Sequence, residues 1–171
     1  MFKVYQIRLA DEVTDYVNSN GRGHTGGEEK YPIYEAYMRL NHGKDLQFTN
    51  TDFGFYTQVC VVHTNGGLVD SDGDKWLVRD LEDVFAVLNG RYFDEVTGND
   101  DVHKAHVSGY KMKTITRKDG EVVTYRDMRS LSVGDIVEDV LNGTFHIVAG
   151  VGFQDITDKL KNFAETTLES A

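Results

Sequence analysis

From Tyr56 to Thr64 the chain runs Tyr-Thr-Gln-Val-Cys-Val-Val-His-Thr, β-branched and alternating. Thr57, Val59 and Val61 fall on one face, and Tyr56, Cys60 and Val62 on the other. A segment apolar on both faces buries both only between neighbours, so this one predicts a central strand and a sheet around it. Phe2 to Leu9 has the same character, with Tyr5, Ile7 and Leu9 opposite Phe2 and Val4, and predicts a second interior strand. Turn chemistry then marks off hairpins. Gly109 to Met128 reads as a long one turning at Asp119-Gly120, with Arg117, Lys118, Asp119 and Glu121 at its tip. Ser130 to Glu138 and Thr144 to Ala149 read as two strands about Asn142-Gly143. Asn65-Gly66-Gly67 reads as a turn, and Leu68-Val69 with Lys75 to Val78 as a short hairpin.

Helical spacing appears between these strands. Asp11 is placed to cap a helix carrying Val13, Tyr16 and Val17, and Pro32 suits the first turn of another carrying Ile33, Ala36, Tyr37 and Leu40. Asp80 caps the clearest one, with acidic residues in its first turn, Leu81, Val84, Phe85 and Leu88 as its apolar stripe, and Asn89-Gly90 as its end. Ile156, Leu160, Phe163 and Leu168 suggest a C-terminal helix. The polar stretches 18–30 and 91–106 read as flexible loops. The fold class this predicts is α+β: one domain over 1–171, a mixed and mainly antiparallel sheet with three to four short helices packed on it.

Charge and cysteine content narrow the function. Among 171 residues, 28 Asp and Glu outnumber 18 Lys and Arg, a net charge of −10. That balance argues against direct binding to a phosphate backbone and favours a protein partner with a basic patch. Cys60 is the one cysteine, which excludes an internal disulfide framework. No apolar run reaches the ~20 residues of a membrane span, and Met1 to Gln6 lacks a signal-peptide layout. The setting expected is the cytoplasm, without membrane contact.

Several motifs invite chemistry and fall short of it. Gly21-Arg22-Gly23-His24-Thr25-Gly26 spells G-x-G-x-x-G, but a dinucleotide site needs that run between a strand and a helix. Here, within the Gly-rich stretch 21–27, it follows a helix. Asp70-Ser71-Asp72-Gly73-Asp74 opens like a calcium loop, yet its glycine comes fourth and its twelfth residue is Leu81. His103 and His106, beside Asp100 and Asp101, are weak candidates for a metal, with no third ligand set by spacing. Cys60 and His63 are three apart on a strand and point to opposite faces, which argues against a nucleophile pair. No catalytic residue and no cofactor is assigned. The aromatic cluster Tyr31, Tyr34, Tyr37, Phe53, Phe55 and Tyr56 reads either as core or as a partner-binding patch rimmed by polar residues.

Four segments follow in order: Phe2-Lys3-Val4-Tyr5-Gln6-Ile7, Leu81-Glu82-Asp83-Val84-Phe85 with Asn89, Arg129-Ser130-Leu131-Ser132-Val133-Gly134-Asp135-Ile136-Val137, and Gly152-Phe153-Gln154-Asp155-Ile156. Together they resemble the YodL-like family of small domains. The resemblance implies a setting in bacteriophages and mobile elements, as an accessory gene product, and attaches no catalytic residue to the motif. Ser132, Gly134 and Asp135 read as a tight turn leading into a strand, with Gly152 and Phe153 returning a buried aromatic beside it. The function expected is that of a phage-encoded accessory protein that binds and modulates a host bacterial protein in the host cytoplasm. Its surface would be Tyr31, Tyr34, Tyr37, Phe53 and Phe55. The alternatives are an acidic nucleic-acid mimic directed against host defence, a small metal-dependent enzyme, and a virion component.

Overall fold

Asp80 accepts a hydrogen bond from the Asp83 amide at 2.9 Å, and a helix starts there because an orphan N–H of its first turn is satisfied. Local rules of this kind build most of the elements. The computed structural model describes residues 1–19, 26–43, 45–89 and 101–161. In chain order they form β1 (Phe2–Ile7), α1 (Asp11–Ser19), α2 (Gly26–Lys30), α3 (Pro32–His42) and a 3-10 helix (Asn50–Phe55). Then come β2 (Tyr56–Val62), β3 (Asn65–Val69), β4 (Lys75–Leu77), α4 (Leu81–Leu88) and α5 (Asp101–His106). The strands β5 (Val107–Ser108), β6 (Met112–Thr116), β7 (Val122–Arg126), β8 (Ile136–Asp139), β9 (Thr144–Val148) and β10 (Phe153–Asp155) follow. Residues 157–161 are helical. The class is α+β, with mainly antiparallel sheets.

The main sheet has the order β10-β9-β8-β1-β2-β5, which makes both β1 and β2 interior strands. β3 with β4 and β6 with β7 form separate two-stranded sheets, each antiparallel. The chain groups into two compact units. The first comprises Met1–Val4, Gln58–Leu131 and Val137–Gly143; the second comprises Tyr5–Thr57, Ser132–Ile136 and the chain from Thr144 on.

In the first unit the buried apolar residues include Phe2, Val4, Cys60, Val62, Val84, Val107 and Leu131. The helix α4 buries Val84, Ala86, Val87 and Leu88, while Leu81 and Phe85 stay half-buried. Val84 and Leu88 of the expected stripe are thus buried, and Ala86 and Val87 join them. In the second unit the core is Ile7, Ala36, Leu40, Phe48, Ile136, Ile147, Ile156 and Leu160. Burying a side chain such as Leu40 contributes roughly 1.5–3 kcal/mol.

The structure departs from four sequence expectations. Residues 101–106, expected within a loop, form α5, and residues 26–30 form α2, where Glu28 and Glu29 in the first turn and Lys30 in the last suit the helix dipole. Asn65-Gly66-Gly67 lies in β3 and not in a turn. Gly66 is glycine for closeness: a Cβ there would sit 2.8 Å from the Ala105 carbonyl. Of the strand expected over Ser130 to Glu138 only the part from Ile136 on is strand, and Ser132 to Asp135 form the tight turn expected to lead into it.

Candidate functional site

The Ser132 to Asp135 turn is built from main-chain needs. Asp135 donates its N–H to the Ser132 carbonyl at 3.0 Å, and its Oδ2 accepts from the Ser132 amide at 2.9 Å. The same Oδ2 accepts from Nε2 of Gln6 at 3.0 Å, and both side chains are wholly buried. Gly134 has φ +87°, and a Cβ there would lie 2.6 Å from the Leu40 carbonyl oxygen, so only glycine fits. Around it Tyr56 donates its hydroxyl to the Gly134 carbonyl at 2.5 Å, and Asn41 donates Nδ2 to the Val133 carbonyl at 2.7 Å. The Gly134 N–H bonds the Val148 carbonyl at 2.9 Å, and the Val148 N–H bonds the Asp135 carbonyl at 2.8 Å. Apart from the Gln6 to Asp135 bond, each of these contacts ends on backbone and holds it in place, which is a structural role. Gly152 has φ +66°, but Phe153, expected to be buried, is half-buried on β10 opposite Val148.

The aromatic candidates separate into two groups. Phe53 packs against Tyr5 at 5.3 Å, Tyr56 at 6.2 Å and Phe145 at 6.0 Å between ring centroids. It joins Phe55 and Tyr37 against the apolar core, and all three are half-buried. The second group follows α1 to α3. Tyr31 meets Tyr16 edge-on at 5.5 Å and donates its hydroxyl to Oε1 of Glu12 at 3.1 Å. The Lys30 ammonium stands 4.3 Å from the Tyr16 ring centre and 5.0 Å from that of Tyr31. Hydrogen bonding to Tyr31, with the nearby Glu12 charge, raises the Lys30 pKa above the usual value. Tyr34 stacks on Tyr37 at 6.4 Å, and Tyr37 meets His42 at 5.0 Å. Tyr31, Tyr34 and Tyr37 are all half-buried and packed against neighbours.

Arg39 anchors this segment, and no sequence pattern marked it. Its Nη2 donates to Asp52 Oδ1 at 2.8 Å and its Nε to Glu35 Oε1 at 2.8 Å. Nη1 reaches the Gln47 carbonyl at 2.6 Å. Asp52 also accepts from the Thr49 amide at 2.7 Å, closing a capping box on the 3-10 helix. Burial works against the Asp52 charge, but the Arg39 guanidinium and the Thr49 donors outweigh it and hold the carboxyl below its usual range. Those bonds to Asp52 and Glu35 raise Arg39 in turn.

The histidine and cysteine candidates take other roles. Cys60 is wholly buried, and burial pushes its thiol up to about 12, which keeps it protonated and unreactive. His103 and His106 do lie at i, i+3 on α5, contrary to the expectation of a loop. The His106 ring nitrogen Nδ1 is bonded to the His63 carbonyl at 2.8 Å, and that ring is buried. Among the described residues no group of three or more His, Cys, Asp or Glu side chains is placed to hold a metal. His63 Nε2 lies 2.6 Å from Ser108 Oγ, a pairing across β2 and β5 that sequence spacing does not reveal. Asp100 and residues 21–25 of the Gly-rich stretch lie outside the described residues. Asp70 is an acceptor for the amides of Asp72 and Asp74 at 2.9 Å each, so the calcium-like run is a turn closed by its own first carboxylate.

Comparison with protein-family models, curated proteins and solved structures finds no match to this chain. Among the described residues no helix is long and apolar enough to cross a membrane.

Proposed function

We propose that this protein is a non-catalytic binding module: an accessory protein of bacteriophage type that engages and modulates a host bacterial protein in the cytoplasm. One observation carries the reading. Tyr31, Tyr34 and Tyr37 lie along one short segment, half-exposed and held in place by Tyr16, Lys30, Glu12 and His42. Aromatic side chains fixed before binding lose little entropy on docking, which is what makes Tyr a frequent anchor of protein interfaces. The net charge of −10 supports a partner with a basic patch, and the order of the four family-like segments supports the phage setting.

The test is affinity purification from bacterial lysate with the wild-type chain and with the double substitution Tyr31→Ala and Tyr34→Ala. A captured protein that is lost with the variant and weakened by salt supports the reading. Capture that survives the substitutions overturns the assigned surface. Displacement of the captured protein by duplex DNA points instead to nucleic-acid mimicry.

A further inference from the structure

The hairpin β6–β7 differs in charge from the rest of the chain. Tyr110 to Arg129 carries Lys111, Lys113, Arg117, Lys118, Arg126 and Arg129 against Asp119, Glu121 and Asp127. That is a net +3 within a chain of −10, so the remainder carries −13. The hairpin is also a sheet of its own, five antiparallel pairs from Met112↔Arg126 to Thr116↔Val122, joined to no third strand among the described residues. Apolar side chains are exposed on both of its faces: Met112 at 57% and Val122 at 64% on one, Ile115 at 38% and Tyr125 at 40% on the other.

The hydrogen-bond phase identifies its open edge. The Asp127 amide bonds the Lys111 carbonyl at 2.7 Å, and the Arg117 amide bonds the Glu121 carbonyl at 2.8 Å. Antiparallel pairs alternate, so the odd-numbered residues of β6 face β7, and Met112, Thr114 and Thr116 turn N–H and C=O outward. All three residues are exposed. We propose that the outer edge of β6 is a docking site for an extended acidic segment of a partner protein, which adds to the hairpin as a third strand.

Charge selects this occupant over the others. A second copy pairing antiparallel about Thr114 would set Lys111 opposite Arg117, basic against basic. An acidic strand instead meets Lys111 and Lys113 beside the edge and Lys118 at the tip, while its main chain satisfies the outward groups. A two-stranded ribbon also fits a major groove, but Arg117 is already paired with Glu121 at 2.6 Å, and nucleic acid offers no main chain to pair with the outward N–H and C=O groups of β6. The proposal does not depend on the reading given for the tyrosine segment.

The test uses the full chain with three probes: a short peptide alternating Glu and Val, one alternating Lys and Val, and duplex DNA. Fluorescence anisotropy is expected to show binding of the acidic peptide alone, with slowed amide exchange at Met112, Thr114 and Thr116. Thr114→Pro removes an outward N–H and leaves the hairpin's own ladder bonds, and is expected to weaken binding by about tenfold or more. Thr114→Val is expected to bind like wild type. Continued exchange protection of Lys113 and Ile115 in the proline variant verifies that the hairpin persists. Lys111→Glu with Lys113→Glu is expected to abolish acidic-peptide binding and admit the basic peptide. Equal binding by Thr114→Pro, equal binding of both peptides by the wild type, tighter binding of DNA, or dimerisation lost in Thr114→Pro would each overturn the proposal.

Discussion

Gln6 and Asp135, 129 residues apart in sequence, meet through one hydrogen bond of 3.0 Å between two wholly buried side chains. A buried polar pair of this kind contributes little net energy when satisfied and costs much when broken, so it selects one arrangement of the chain over others. Gln6→Leu and Asp135→Ala are each expected to lower unfolding free energy by about 1–3 kcal/mol. The double substitution is expected to cost less than their sum by about 1 kcal/mol. Urea titration of the four proteins measures this, and strict additivity would mean the pair is not coupled.

Gly134→Ala is expected to destabilise far more than Gly143→Ala. Both have positive φ, +87° and +63°, so both lose by roughly 1–2 kcal/mol from backbone strain. Only at Gly134 does the new methyl group also strike backbone, the Leu40 carbonyl oxygen at 2.6 Å, whereas nothing lies within 4 Å of it at Gly143. Thermal melting of the two variants, compared with wild type, checks the difference. Equal losses would mean that the last turn of α3 around Leu40 yields freely.

The Arg39–Asp52 pair predicts a pH dependence. The Asp52 carboxyl is held below its usual range in the folded protein, so the unfolded chain takes up the proton first as pH falls. The resulting stabilisation is complete above the unfolded pKa of ~3.9 and lost as pH falls through the lower folded value. Arg39→Ala is expected to cost about 1–3 kcal/mol at pH 7, since hydrogen bonds to charged groups are lost. Its deficit is expected to shrink as the medium is acidified below that range. Denaturation curves for wild type and variant across pH 2 to 7 test it, and a constant deficit would contradict the electrostatic account.

Cys60 is expected to resist alkylation. Its burial leaves no path for reagent, and a thiol pushed up to about 12 presents almost no thiolate at pH 8. Mass spectrometry after iodoacetamide treatment should show an unmodified native chain and full labelling in denaturant. Rapid native labelling would mean that β2 opens readily.

What the sequence determined by itself is what neighbouring residues enforce. The Asp80 cap, Pro32 in the first turn of α3, and the Asp119-Gly120 reversal between β6 and β7 all follow from chemistry within a few residues, and the structure has each of them. The α+β class followed from spacing for the same reason, since helical and strand periods are local properties. Tertiary structure decided the rest. Gly66 looked like a turn glycine but serves the approach of Ala105, and polar 101–106 forms a helix whose His106 ring is fixed by the His63 carbonyl. Gln6 lies in a strand whose spacing gives no sign of a partner, and Asp135 bonds it only in the folded chain. Arg39 likewise became an anchor only when the 3-10 helix presented Asp52. A side chain's donors and acceptors are written in its identity, but which partner removes them from water is fixed only when distant segments pack together.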